Sequence, residues 1–115
     1  MNVIIARLRN WGCMLDDILE IFQGDEEGYL ALVASAGKDA ALKALGEALA
    51  RGDTREAFEQ AHMLKGVLGN LGLTPLYSTA CAIVEPLRHD SLEGVAPLYA
   101  ELMQGVARLN EIVGA

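Results

Sequence analysis

The residues with the clearest chemical potential lie together in the segment AHMLKGVLGNLGL, residues 61–73. Four of them recur at offsets 0, 3, 4 and 7, namely His62, Lys65, Gly66 and Gly69. A helix turns about 100° per residue, so it places these four on one face. The other face is apolar and carries Ala57, Ala61, Leu64, Leu68 and Leu71. The spacing therefore predicts that His62 faces water.

A histidine and a lysine one helical turn apart suit phosphoryl transfer. Near pH 7 an imidazole is largely neutral and offers a nitrogen lone pair, so His62 is a candidate nucleophile. The ammonium of Lys65 can lie against phosphoryl oxygens as a flexible point charge. Glycine in a helix interior costs about 1 kcal/mol relative to alanine, and packing gives no local reason for Gly66 and Gly69. The two glycines predict a bare surface on which a macromolecule docks.

Apolar periodicity predicts that helices position this segment, because the alternation typical of strands is not sustained anywhere in the sequence. Asp53 and Glu56 have the spacing of a capping pair, so the helix with His62 should run from about residue 54 to about residue 71. Further helices are predicted over 3–9 and 14–22, from Asp25 to Gly37, from Asp39 to Arg51, from Thr74 as the cap to about Pro86, and from between Leu92 and Leu98 to about Val113.

These elements predict an all-α fold, an antiparallel four-helix bundle with one or two additional short N-terminal helices. A length of 115 residues suits one domain with one core. We expect residues 1–115 to form that domain, with residues 1–24 as a helical cap and residues 25–115 as the bundle. In the helix that follows Asp25, the predicted buried residues are Tyr29, Leu30, Leu32 and Val33.

Composition excludes several classes of function. Nine Lys and Arg against 16 Asp and Glu give a net charge of −7, which disfavours binding to nucleic acid. No apolar run approaches the roughly 20 residues of a membrane span, and the N-terminus does not resemble a secretion signal, so we expect a cytoplasmic protein without a membrane partner. Cys13 and Cys81 fall within apolar helical patterns, which favours reduced core thiols over a disulfide.

The segment around His62 resembles the signature of histidine-containing phosphotransfer (Hpt) domains, in which an alanine and the phosphorylated histidine precede a Leu-Lys-Gly step and, soon after, an Asn-Leu-Gly step. By position, the resemblance makes His62 the phosphoacceptor, Lys65 the phosphate-stabilising cation, Gly66 the clearance position, and Asn70 with Gly72 the helix end. Weaker similarity covers most of the chain. Two residues depart from the family pattern: Leu68 stands where members commonly have a small or polar residue, and Pro86 interrupts a helix that members usually continue.

The resemblance implies a stoichiometric phosphocarrier that is not an enzyme and hydrolyses no ATP. Its partners would be the receiver domain of a response regulator, a hybrid histidine kinase, or both. It implies no cofactor for this chain, because the magnesium ion belongs to the receiver. We expect a monomer.

For the remaining residues around His62, the sequence leaves a purely structural role open beside a functional one. Arg55 and Glu59 could contact a docked receiver, although charged residues on the outer side of a helix are most often only solvated. Phe58 is either boundary core or part of an apolar docking patch. Met63 and Trp11 are interpreted as packing residues, and His89 is assigned no chemistry. The main alternative function is a phosphate-independent docking module of the same fold; a bundle enzyme or metal protein has little support.

Overall fold

Seven α-helices and their connections make up the described part of the chain, residues 2–114 of a computed structural model, and this range contains no strand. The helices are α1 (Val3–Trp11), α2 (Asp16–Ile21), α3 (Glu26–Ala36), α4 (Ala40–Arg51), α5 (Thr54–Asn70), α6 (Thr74–Arg88) and α7 (Val95–Val113). The predicted all-α fold is confirmed.

Helices α4 to α7 form the bundle. Helix α5 packs between α4 and α6, while α7 packs on α6 and also contacts α4. The connections 52–53, 71–73 and 89–94 are short, so consecutive helices lie antiparallel. The interior is filled by side chains that are almost fully buried, among them Leu45, Leu64, Leu76, Ile83, Leu102 and Leu109. Burial of these apolar surfaces is what holds the helices together.

Both ends of α5 are fixed by local interactions that the sequence encodes. At its start the Asp53 side chain accepts a hydrogen bond from the Glu56 amide at 3.1 Å, as the capping spacing predicts. At its end Gly72 has a φ of +70°, a left-handed conformation that favours glycine. There the Leu73 amide donates to the Leu68 carbonyl at 3.0 Å and the Gly72 amide donates to that of Gly69 at 3.1 Å. These two bonds form a Schellman motif, which stops the helix just past the residues of interest.

The N-terminal helices lie against this bundle. Helix α1 packs on α7, and a salt bridge between Arg9 and Asp16 links it to α2. The chain before α2 crosses the turn from α5 to α6, where the Met14 amide donates to the Thr74 hydroxyl at 3.2 Å and Leu15 is buried. Helix α2 therefore lies beside the end of α5.

Four details of the sequence predictions need correction. Leu32 is 50% exposed, because α3 packs mainly on α7 and buries only the narrow stripe of Tyr29, Val33 and Ala36. Met63 is 52% exposed, since it follows His62 on the outer side of α5. Thr74 is the first residue of α6 and Leu73 precedes it as the cap; the Thr74 hydroxyl bonds to Met14 instead. Helix α6 passes through Pro86 and ends two residues later, at Arg88.

The cysteines and Trp11 lie close to where the sequence puts them. Cys13 is buried and Cys81 half-buried, and both are free thiols. Trp11 is partly buried against the core, as a packing residue should be.

Candidate functional site

An open groove of about 570 Å³ runs along the outer side of α5. Four residues of the predicted stripe line it, namely His62, Lys65, Gly66 and Gly69. His62 is exposed and Lys65 is half-buried, so the imidazole is reachable from solvent while the lysine stem lies along the helix. The prediction that His62 faces water is confirmed.

The groove has a second wall that the stripe on α5 did not predict. It is formed by Met14, Asp17 and Ile18 of the segment around α2, with Thr74 and Tyr77 of α6 at one end. Asp17 brings a carboxylate to the groove that also contains the ammonium of Lys65. No local sequence pattern identifies these residues, because they reach the site only through the crossing of the α5–α6 turn by the N-terminal segment.

Gly72 makes this second wall possible. A Cβ placed on Gly72 would lie 2.6 Å from the Met14 carbonyl oxygen, a backbone atom, and would clash with it. Just before it, the Tyr29 hydroxyl donates to the Leu71 carbonyl at 2.6 Å, which ties α3 to the same turn. The helix end predicted at Asn70 and Gly72 is therefore where α2, α3 and α5 meet. Asn70 itself is exposed and lines the groove.

The two glycines beside His62 differ in the space that surrounds them. A Cβ on Gly66 would meet no atom within 4 Å, so packing gives no reason for a glycine there. A Cβ on Gly69 would lie 2.9 Å from Cε1 of Tyr77, which occupies the space above that glycine. The prediction that packing explains neither glycine is thus wrong for Gly69, because a side chain of α6 covers it. Only Gly66 leaves bare helix surface.

Comparison with known protein families gives a match over most of the chain. The sequence model of the Hpt domain matches residues 17–112, more than half of the chain. The chain belongs to the Hpt domain family. Searches of curated proteins and of solved structures give no significant match. Hpt domains carry phosphoryl groups in two-component signalling and interact with receiver domains and histidine kinases; they are phosphocarriers rather than enzymes.

In this Hpt domain the other predicted contact residues lie outside the groove. Phe58 is half-buried one turn before His62, and the two ring centroids are 5.7 Å apart with an interplanar angle of 33°. Arg55 and Glu59 are exposed, and the Arg55 Nε lies 3.7 Å from Glu59 Oε1. An exposed pair of this kind contributes little to stability, so both side chains stay available to a partner.

Two further polar groups near the site of the Hpt domain stay neutral near pH 7. A hydrogen bond with the Cys81 side chain raises the pKa of Tyr77, so its phenol adds no negative charge to the groove. Burial raises the pKa of Cys13 to about 11, and its thiol stays protonated. Of the residues that line the groove beside His62, Lys65 carries an amino group and Asp17 a carboxyl group.

The described residues of the Hpt domain contain no group of three or more His, Cys, Asp or Glu that could hold a metal ion. Between residues 2 and 114, no helix has both the length and the apolar character that a membrane crossing requires. His89, the second histidine, caps α6 with its Nε2 3.7 Å from Glu85 Oε1 and is exposed.

Proposed function

We propose that this chain is a histidine phosphotransfer protein of a two-component phosphorelay, with His62 as the phosphoacceptor. A ring nitrogen of His62 attacks the phosphorus of an aspartyl phosphate on a receiver domain. The N–P bond forms as the P–O bond to the aspartate breaks, and the carboxylate leaves with the electron pair. The reverse reaction, on a second receiver, regenerates the imidazole. Each cycle conserves the phosphoryl group.

The observation that carries the proposal is the combination of an exposed His62 with Lys65 and the open surface at Gly66 in a single groove. Lys65 lies one turn from His62 on the same stripe, where its ammonium can approach the equatorial oxygens of the transferred group. The bare backbone at Gly66 lets the loop that carries the partner's aspartate come close. A phosphate-independent docking module would need neither the histidine nor the cation.

The proposed partner is the receiver domain of a response regulator or of a hybrid histidine kinase. Its magnesium ion would balance the charge of the phosphoryl group, so the carrier needs no cofactor of its own. Met14 and Ile18 give the groove apolar surface, and the exposed Met63 follows His62 in the chain. Phe58, Arg55 and Glu59 would extend the docking surface toward the start of α5. We place this exchange in the cytoplasm, with the carrier as a monomer that binds no nucleic acid.

The test is transfer of labelled phosphoryl groups from a panel of phospho-receivers to the wild-type chain and to His62→Gln. His89→Gln is a matched control, because His89 is also exposed and, at the C-cap of α6, lies outside the groove. We expect acid-labile, alkali-stable label on the wild type and on His89→Gln, and none on His62→Gln. Lys65→Met should accept label more slowly.

Two outcomes would contradict the proposal. If the folded wild type takes no label from any receiver yet binds receivers equally well with and without His62, the chain is the phosphate-independent docking module. Label that persists on His62→Gln and disappears from His89→Gln would move the phosphoacceptor to α6.

A further inference from the structure

A cation and an aromatic ring connect α6 to the side chain of His62. The guanidinium carbon of Arg88 lies 5.4 Å from the ring centroid of Phe58, within the range of a cation–π interaction. The Phe58 ring in turn lies 5.7 Å from the His62 ring, tilted by 33°. Arg88 is the last residue of α6, and the antiparallel packing of α6 on α5 brings it to Phe58. Arg88, Phe58 and His62 thus lie next to one another in that order.

Without a neighbouring side chain to hold it, an exposed histidine on a helix populates several orientations. The helix leaves about two χ1 wells open, and the ring can then face either way about χ2. Only one of these roughly four orientations points a given nitrogen out of the groove toward an approaching phosphorus. Side chains on a helix lean toward the preceding turn, so a ring at Phe58 is the natural support for a ring at His62.

Arg88 is suited to hold that support in place. Its side chain is 45% exposed, and its Nε lies 3.6 Å from Oε2 of Glu85 on the same helix. The Glu85 carboxylate and the Phe58 ring thus both lie near the guanidinium. Arg55, by contrast, has a side chain that is 90% exposed, and its partner among residues 2–114 is Glu59 on its own helix. The two arginines therefore offer a matched comparison.

We propose that Arg88 is a positioning residue, which acts through Phe58 to hold the imidazole of His62 in one orientation for phosphoryl transfer. This rests on the proposed function, in which His62 is the nucleophile. Arg88 makes no contact with the phosphoryl group in this proposal. Its effect is on the fraction of time that the ring spends in the reactive orientation.

The first experiment measures that orientation directly and needs no phosphate. Three-bond NMR couplings report the χ1 population of His62 in the wild type and in Arg88→Met, Phe58→Leu, Phe58→Tyr and Arg55→Met. We expect one dominant rotamer in the wild type, in Phe58→Tyr and in Arg55→Met, and averaged couplings in Arg88→Met and Phe58→Leu. A single rotamer that persists in Arg88→Met overturns the proposal.

The second experiment separates positioning from docking. Single-turnover transfer from a phospho-receiver gives a maximal rate and a half-saturating receiver concentration for each variant. We expect the maximal rate of Arg88→Met to fall by about two- to fourfold, the number of orientations that open, with the half-saturating concentration unchanged. A raised half-saturating concentration with an unchanged maximal rate would make Arg88 a docking residue and refute the positioning role.

The two experiments also keep this inference apart from the proposed function. If the wild type accepts no phosphoryl group, the proposed function fails, while the NMR couplings still show whether Arg88 orders the ring. If transfer occurs and the couplings are the same in every variant, the proposed function stands and the inference fails. Thermal unfolding of each variant checks that the fold is retained.

Discussion

Replacing Gly66 with alanine should have two separate effects. It should raise the free energy of unfolding, and it should slow phosphoryl transfer from a docked receiver. The residue is exposed in the interior of α5, and an added Cβ meets no atom within 4 Å. The substitution therefore removes most of the helix penalty of glycine and should stabilise the chain by roughly 0.5–1 kcal/mol. At about 2.1 cal/mol/K of unfolding entropy per residue over 115 residues, this raises Tm by about 2–4 °C. Thermal and urea unfolding measure both quantities.

The same methyl group should impair phosphoryl transfer. It projects into the groove beside His62, and a displacement of about 1 Å in a reacting complex can reduce the rate on the order of 100-fold. We expect single-turnover transfer from a phospho-receiver to Gly66→Ala to be slower by about 10- to 100-fold. Phosphoramidate, a small donor without a docking surface, should phosphorylate His62 at the same rate in both proteins. Comparison of the two donors assigns the loss to docking.

Two variants control this experiment. Gly69→Ala should raise Tm less than Gly66→Ala does, because its Cβ would lie 2.9 Å from Cε1 of Tyr77 and that ring must shift. Ala107→Gly, at an exposed position of α7, should cost about 1 kcal/mol and leave transfer unchanged. A lower Tm for Gly66→Ala would refute the reasoning from open space, and an unchanged rate from the receiver would refute the docking role of the glycine.

Two further predictions concern stability. Gly72→Ala should lower the free energy of unfolding in urea by about 2–4 kcal/mol, because the left-handed backbone disfavours a side chain and the Cβ would lie 2.6 Å from the Met14 carbonyl oxygen. Gly52→Ala is the control: its φ is +72° and its Cβ would meet no atom within 4 Å, so the loss should be only about 1–2 kcal/mol. Burial raises the pKa of Cys13 from 9.0 to about 11, so the folded state keeps a proton that the unfolded chain releases. Its contribution to stability is full below pH 9 and is lost as the pH rises toward 11, and Cys13→Ala should remove this part of the pH dependence.

Each of these predictions has a result that contradicts it. Equal losses of stability in Gly72→Ala and Gly52→Ala would show that the contact with Met14 relaxes without cost. For the cysteine, urea unfolding is compared between about pH 8 and pH 10 in the wild type and in Cys13→Ala. Burial raises the pKa of Tyr29, and the charge of an ionised Cys13 raises it further, so the difference between the two proteins reports the thiol together with its effect on Tyr29. Parallel curves would contradict the prediction.

The sequence predicts the bounds and the exposed side of α5 well, because both depend on that helix alone. The capping pair at Asp53 and the glycine at Gly72 locate α5 within a residue, because caps satisfy backbone groups of their own helix. The helical repeat then places His62 beside Lys65 on the exposed side without knowledge of any other element. The exposure of His62, its place beside Lys65 and the all-α fold class follow from these local rules.

Contacts between elements could not be predicted in the same way. The placement of Tyr77 over Gly69 and of Arg88 on Phe58 depends on how α6 is rotated against α5. Asp17 reaches the groove only because the N-terminal segment crosses the α5–α6 turn, a contact between residues more than 50 positions apart in sequence. Periodicity gives the face of each helix that packs, but it does not name the neighbour that covers its edge.

The groove is built from two parts of the chain, and this separates the reactivity of the carrier from its choice of partner. Under the proposed function, the reactive atoms belong to one helix, whose repeat keeps their spacing constant. Most of the facing wall belongs to a separate segment that includes the six-residue α2, whose side chains are exposed or only partly buried. Substitutions in that helix can alter which receivers fit without disturbing the nucleophile. Partner choice and reactivity can thus diverge independently among related carriers, and exchange of α2 alone offers a route to redirect a phosphorelay.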